Sequence, residues 1–424
     1  MNNSIKLNDN CFALPKGVNW CPVDTALSKL KKSLFPVCNE TLVSVVESEG
    51  HILSKPCHAE ISNPNFSNSA VDGYGFSGPS SEGLNEFSLV SGAAFAGKPF
   101  KDHVPEFHAV KIMTGAMLPS GVDTVILNED VTLDAKQETL TFSGKLKKGR
   151  NVRLVGEDVL EGSLLFDKGH RLRSQDLALL VATGVKTVQT YKPLKVGILS
   201  TGDEVLESYS RTNRDLGKGM IFDSNRPLLC SLIGKWGCEI IDLGLEIDDI
   251  DKIRKKLDLA ADRCDVLLTS GGASAGHADY LSKLIKEEGK LFEWRIAIKP
   301  GRPLAMGIWK DMPVFGLPGN PVATYVCTLI FFYPSMCLMS GSGWQVPQSY
   351  LVPSGFQKVK RPGRREFLRA KINNNGRVEV FGSEGSGRIS GLSWSTGLVE
   401  LPDKALNIAE GDNVKYIPYS SFGI

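Results

Sequence analysis

Carboxylates set in glycine-containing loops are the residues of this 424-residue chain best suited to chemistry. They are Asp72 in Ser69-Ala-Val-Asp-Gly-Tyr74, Asp158 in Gly156-Glu-Asp158, Asp203 and Glu204 in Thr201-Gly-Asp-Glu204, Asp248 and Asp279. Taken one at a time, such acids most often serve as turn or cap residues. Several of them at the ends of strands suit Mg²⁺, a hard cation that retains water and bridges carboxylates to phosphate oxygens.

A phosphate seat is legible nearby. The apolar run from Asp265 to Leu268 reads as a buried strand. It gives way to Thr269-Ser-Gly-Gly-Ala-Ser274, and a helix is predicted from about Ala278 to Glu288. Small residues such as Gly271, Gly272 and Ser274 bring backbone N–H groups close to an anion, and a helix N-terminus adds favourable partial charge. Asp279 at that end would repel phosphate alone; a metal ion between the two removes the conflict. The plain alternative is a tight turn with an acid at the start of its helix, because glycine-rich turns are a weak signal by themselves. Lys299-Pro-Gly-Arg-Pro303 places two cations three residues apart on a stiffened loop, an arrangement suited to an oxyanion, with surface charge at a turn as the alternative. The chain has no G-x-S-x-G, no H-E-x-x-H and no complete Walker loop, and His277 stands alone beside the glycines. These residues point to metal and phosphate electrostatics rather than covalent catalysis.

The elements that must position these loops alternate from Leu194 onward. Strands are predicted at Lys195–Ser200, Glu239–Leu245, Asp265–Thr269, Phe292–Ile298, Leu304–Ile308 and Pro313–Leu317. Between them, Ser224 is predicted to cap a helix over Pro227–Lys235, and Asp248 a helix to about Ala261. Asn320 opens an apolar helix. Such alternation implies a mostly parallel sheet covered on both faces, with ligands at the carboxyl ends of its strands. Upstream, Val23–Leu34 has helical spacing, Glu86–Phe142 reads as a β-rich insert, and Ser174 is predicted to cap a helix ending at Gly184. The tail from Pro347 reads as a small β domain.

Composition excludes other classes. The chain is 42% hydrophobic and 23% charged, with a net charge of +2, so nothing drives it as a whole toward nucleic acid or an anionic membrane. Nine dispersed cysteines, none within three residues of another, suggest reduced thiols in a cytoplasmic protein. The first ten residues have no apolar signal-peptide core. Val322–Met339 has the length of a membrane span, but it contains Pro334, lacks basic flanks and follows an α/β pattern, so a buried core helix is expected.

Taken in order, the motifs resemble the MoeA family of molybdopterin molybdenumtransferases, related to the C-terminal part of gephyrin. They are Asn65-Phe-Ser-Asn-Ser-Ala-Val-Asp-Gly-Tyr74, Ile112-Met-Thr-Gly-Ala-Met-Leu-Pro-Ser-Gly121, Asn151-Val-Arg-Leu-Val-Gly-Glu-Asp158, Ser200-Thr-Gly-Asp-Glu204, Asp223-Ser-Asn-Arg226, Thr269-Ser-Gly-Gly272, Ile298-Lys-Pro-Gly-Arg-Pro303 and Gly316-Leu-Pro-Gly-Asn-Pro-Val322. The resemblance implies an α/β multidomain chain. Its centre is a doubly wound, mostly parallel sheet domain of the molybdopterin-binding type at 194–342. Around it are a β-rich insert at 61–149, a discontinuous, partly helical N-terminal domain at 15–60 plus 150–193, and a C-terminal β domain at 343–424. It implies insertion of molybdate into adenylylated molybdopterin with release of AMP, dependent on Mg²⁺, by a homodimer whose active site includes residues from both chains. Molybdopterin adenylyltransferase and apo-molybdoenzymes are the implied partners, with no nucleic acid and no membrane. Carried over by motif, Asp72, Asp158, Glu204, Asp248 and Asp279 are catalytic, with Glu204 and Asp279 as metal ligands. Thr114, Arg153, Gly271, Gly272, Ser274, Lys299, Arg302 and Pro303 bind substrate, joined by Ser386 or Ser390 from Gly385-Ser-Gly-Arg-Ile-Ser-Gly391.

Three positions depart from the family pattern: Val71 replaces a usual Met, Arg302 a common Lys, and Ala323 a frequent Ser. None removes an acid, so activity is expected. Two other readings compete. A molybdopterin adenylyltransferase-like protein would consume ATP, but is usually a short single domain. A non-catalytic scaffold or cofactor carrier would not need the intact acid set.

Overall fold

The computed structural model describes residues 6–7, 20–207, 219–271, 280–301 and 303–424. The chain forms two compact units. One comprises Met1–Thr41, Gly50–Ser54 and Thr190–Ile424; the other comprises Leu42–Glu49 and Lys55–Gln189.

The first unit is built on a six-stranded sheet ordered Glu239–Glu246, Lys195–Thr201, Val266–Ser270, Met312–Leu317, Pro303–Trp309, Lys290–Arg295. The first four strands are parallel, and the last two turn antiparallel. Alternate residues of the parallel strands enter different cores, as the two-residue period of a strand requires. Val196, Ile198, Val266, Leu268, Phe315 and Leu317 join one core, with Leu229 and Ile233 from the helix Asn225–Lys235. Leu199, Leu267 and Val314 join the other, beneath Ile253, Leu257 and Ala260 of the helix Ile250–Arg263. Both faces are therefore covered, which explains why these strands read as continuous apolar runs. Burying a leucine of this kind stabilises by about 1.5–3 kcal/mol.

The apolar helix runs from Pro321 to Met339 and is 83% buried over its most apolar window. Among the described residues it is the one helix long and apolar enough to cross a membrane, and its Val326, Leu329, Phe331 and Met336 lie in the first core. A π-turn at Thr328–Phe332 precedes Pro334, whose nitrogen has no hydrogen to donate to the helix.

One expectation needs correction here. The predicted strand from Phe292 to Ile298 is two strands: Lys290–Arg295 stays in the central sheet, while Ile298–Lys299 leaves it. It pairs in parallel with Arg365–Ile372 of a C-terminal sheet that also contains Gly397–Leu401, Asn413–Pro418 and Tyr350–Pro353. The break delivers Lys299 to that second sheet. Phe356, Leu368, Val399 and Tyr416 form the core beneath it.

In the other unit, a six-stranded sheet runs Thr132–Asp134, Thr139–Ser143, Leu84–Ala94, His108–Ile112, Gly73–Phe76, Thr124–Leu127. Phe76, Phe87 and Phe142 fill its core, the last two rings stacked 5.9 Å apart.

None of the three predicted caps acts through its own side chain, although Ser224 does stand at the cap position of its helix. Ser174 is the first residue of its helix, and Arg173 precedes it. Asp176, third in that helix, accepts from the Arg173 backbone N–H at 2.9 Å. Asp223, not Ser224, accepts from the N–H groups of Asn225 and Arg226. Asp249, not Asp248, accepts from Asp251 and Lys252, each at 3.0 Å. A carboxylate accepts helix N–H groups with full charge, which favours Asp223 over Ser224, whereas between the two acids Asp248 and Asp249 the entry of the chain decides.

Candidate functional site

The carboxyl ends of the parallel strands gather small and polar side chains. Gly271 has φ +97°, and a Cβ there would sit 2.3 Å from the Thr201 carbonyl oxygen, so only glycine permits this approach of two strand ends. Asn225 donates its amide to Ser270 Oγ and to the Gly319 carbonyl, each at 2.7 Å, tying a helix start to two of the loops. Beside them, Ser200 Oγ, Thr201 Oγ1, Thr269 Oγ1 and Asn225 Oδ1 are buried with no hydrogen-bond partner among the described residues. Leaving such groups unsatisfied costs about 1–3 kcal/mol each, so this end of the sheet is chemically prepared for a polar ligand.

Three acids meet at the same end. The Asp248 N–H donates to Asp203 Oδ1 at 3.1 Å. Burial lifts the Asp248 carboxyl above its usual value, and the charges of Asp203 and Glu204 lift it further. Asp249 rather than Asp248 caps the helix, and the Asp248 carboxyl lies within electrostatic reach of the other two. The donor set is all oxygen, and Asp203 and Glu204 are exposed, leaving room for waters. Both properties fit Mg²⁺. Among the described residues no group of three or more His, Cys, Asp or Glu side chains has a metal-holding arrangement, so the acids do not form a closed cage. Gly272, Ser274, His277, Asp279 and Arg302 lie outside the described residues.

Lys299 occupies a second centre in this unit. Its side chain is only 12% exposed, and its ammonium lies 2.6 Å from Glu384 Oε2 and 3.5 Å from Glu366 Oε1. Lys358, with a wholly buried side chain, lies 3.2 Å from Glu366 Oε2 and also pairs with Glu384 Oε1. Lys299 is thus a paired cation rather than an open one. Sequence reasoning missed Glu366, Glu384, Lys358 and Arg369. For Glu366 and Arg369 the available signal was charge at buried positions of an otherwise apolar strand; Glu384 lies on a loop and carried no such signal. Arg369 is buried and donates to the carbonyls of Arg388, Ser383 and Gly385. It holds the loop that carries Ser386, whose own carbonyl accepts from the Val322 N–H at 3.2 Å. Ser390 opens the short helix Ser390–Trp394 and is exposed. Pro303 begins the strand Pro303–Trp309.

The remaining sequence-predicted residues lie in the other unit. Asp72 Oδ1 accepts from the Thr114 N–H at 2.7 Å and from its hydroxyl at 2.6 Å. These hydrogen bonds hold the exposed Asp72 carboxyl below its usual value. Asp158 Oδ2 accepts from the Asn63 amide at 2.9 Å. Arg153 is exposed on the strand Val152–Arg153, which pairs with Asn68–Ser69.

Three regions match described families in order. Residues 21–184 match the MoeA N-terminal region (domain I and II), 197–336 a probable molybdopterin binding domain, and 353–419 the MoeA C-terminal region (domain IV). A molybdopterin molybdenumtransferase of Haemophilus influenzae is 36% identical over 405 residues, covering 94% of this chain and 98% of that one. The chain belongs to the MoeA family. A Dictyostelium discoideum gephyrin is 27% identical, over 94% of this chain and 62% of its own length. The MoeA protein of Pyrococcus horikoshii OT3, a solved structure, superposes with a TM-score of 0.83 at 27% identity, covering 95% of this chain and all of that one. With these MoeA neighbours the chain shares a multidomain build of mixed α/β sheets.

Two of the positions expected to depart from the family pattern have a visible setting. Val71 packs against the core of Ala94, Ile112, Ala116 and Val125. Ala323 is 2% exposed near the start of the apolar helix and offers no hydroxyl there.

Proposed function

We propose that this protein is a molybdopterin molybdenumtransferase. It acts in molybdenum cofactor biosynthesis, taking adenylylated molybdopterin and molybdate and releasing AMP. Membership of the MoeA family supports the class of reaction. The observation that carries the site is the convergence of Asp203, Glu204 and Asp248 beside unpartnered oxygens at one end of the parallel sheet. In this reading the buried hydroxyls of Ser200, Thr201 and Thr269 and the Asn225 amide orient the pterin or phosphate portion of the substrate. Glu204, with Asp279, would hold Mg²⁺, and Asp203 and Asp248 would receive its waters. When bound, that ion polarises the phosphoanhydride and screens its charge from molybdate. Lys299, with Arg302, Pro303 and Ser386, forms the oxyanion seat. Asp72, Thr114, Arg153 and Asp158 act on the substrate as well; the hydrogen-bonded pairs Asp72–Thr114 and Asp158–Asn63 hold two of the acids in defined orientations.

We further propose that the chain works as a cytoplasmic homodimer with active sites drawing residues from both copies, and exchanges cofactor with an adenylyltransferase and apo-molybdoenzymes. Its parts would be 15–60 plus 150–193, 61–149, 194–342 and 343–424. The test is AMP release from adenylylated molybdopterin on adding protein, molybdate and Mg²⁺. Release that requires both ions is expected. Tight cofactor binding without release would replace this reading with a carrier or scaffold.

A further inference from the structure

The oxyanion seat is occupied by the protein's own carboxylate. Beside Lys299 lies a cavity lined by Pro300, Val322, Phe367, Arg369, Ser383 and Glu384 among others, with about 10 Å³ of space. That is room for about one water and not for a tetrahedral oxyanion. Glu384 lines it, with its Oε2 at 2.6 Å from the Lys299 ammonium and its Oε1 on Lys358. Lys299, Lys358, Glu366 and Glu384 form a ring of two cations and two anions with no net charge. Arg369 adds one positive charge close to Glu384, while its N–H groups are engaged by backbone carbonyls. The ring by itself offers no surplus charge to a dianion, and an incoming oxyanion at Lys299 meets a carboxylate already there. Like charges in such a site repel and disfavour binding.

We propose that Glu384 is a specificity-determining residue that sets oxyanion affinity. Molybdate reaches Lys299 only as the Glu384 side chain rotates off it and rests on Lys358 alone. The backbone around Glu384 is held on one side by Arg369 and on the other by the Val322–Ser386 hydrogen bond, so the change is a side-chain rotation rather than a loop movement. Lys358, buried and already in contact with Glu384, is the waiting partner. An internal carboxylate of this kind rejects weakly held anions, because only a ligand that repays its displacement binds. The inference rests on the reading of Lys299 as the oxyanion seat, and the test separates the two.

The test is calorimetric titration of sodium molybdate into the full chain and four folded variants, with thermal unfolding recorded for each. Glu384→Gln keeps the shape of the side chain and removes its charge; its molybdate affinity should rise at least about tenfold. Glu384→Gln with Lys358→Met removes a cation and an anion together, which guards against misfolding from an unpaired buried lysine, and should show the same tightening. Unchanged or weaker affinity in both variants would overturn the proposal. Lys299→Ala alone, and Lys299→Ala with Glu384→Gln, should lose molybdate binding. If both instead bind molybdate as their Lys299 parents do, the oxyanion seat lies elsewhere, and that outcome sinks the reading of Lys299 whatever Glu384 does.

Discussion

At the scale of the residue, the site depends on keeping acids close together at a cost to the fold. Asp248 is lifted above its usual carboxyl value by burial, with Asp203 and Glu204 adding like charge. A carboxyl whose folded value is raised binds protons more readily folded than unfolded, so at neutral pH its charge opposes folding. Asp248→Asn should therefore raise stability modestly at pH 7, solvent screening limiting the gain. The gain should fade as pH falls toward the ordinary carboxyl range, and Mg²⁺-dependent turnover should fall. Denaturant titrations at pH 7 and pH 4 beside an AMP-release assay would show it; a less stable variant at pH 7 would contradict the electrostatic account. Glu204 is exposed, so Glu204→Ala should leave the unfolding curve in place while abolishing molybdenum insertion. Normal turnover by that variant would remove Glu204 from the mechanism. The acids of these loops were legible in the sequence because glycine flanks them. The Lys358–Glu384 pairing was not, because partners 26 residues apart on a strand and a loop share no periodic signal.

Elements show where local rules sufficed and where neighbours decided. The parallel strands were visible as apolar runs, and the helix Val23–Ser33 as a spacing that buries Val23, Ala26 and Leu30. The caps were not visible, because neighbouring acceptors such as Asp223 and Ser224, or Asp248 and Asp249, compete for the same N–H groups and the entry angle of the chain helps to choose. The break after Arg295 was hidden too, since both halves of that run have strand character and only pairing with Arg365–Ile372 divides them. Asp176 makes the clearest prediction at this scale. Its carboxylate receives hydrogen bonds from Arg173 and contacts His170 at 2.7 Å, with a side chain only 4% exposed. Burial raises its pKa, but the hydrogen bonds from Arg173 and His170 outweigh that and bring it down to about 2. A carboxyl lowered on folding contributes stability that is full above the unfolded value near 4 and is lost as pH falls through about 2. Asp176→Asn should destabilise its unit by about 2 kcal/mol at pH 7, a difference that closes between pH 4 and pH 2. Hydrogen exchange of the peptide spanning Ser174–Ala182 in urea, read across that range, would check it. A penalty independent of pH would mean the carboxylate acts by shape alone.

At the scale of the molecule, the sequence-predicted site residues divide between the two compact units. Asp72 and Asp158 lie in one; Glu204, Asp248 and Lys299 lie in the other. If the working form is a homodimer with sites drawing on both copies, that division has a measurable consequence. Asp72→Ala and Glu204→Ala should each be inactive as purified. Mixed under conditions that exchange subunits, they form heterodimers in which one site carries both lesions and the other carries none. Statistical exchange places half of all dimers in that mixed class, so AMP release should return to about a quarter of the parental rate per chain, half the dimers each having one intact site. The particle mass in light scattering should be twice the 46.1 kDa of the chain throughout. A dimer whose sites each use a single chain gives a different answer, because every site in the mixture keeps one lesion and no activity returns. Recovery also distinguishes the enzyme from a scaffold: a carrier holds cofactor whether or not its acids are intact, and has no turnover to restore. The experiment therefore asks at once whether the acids act together and whether they meet across two copies.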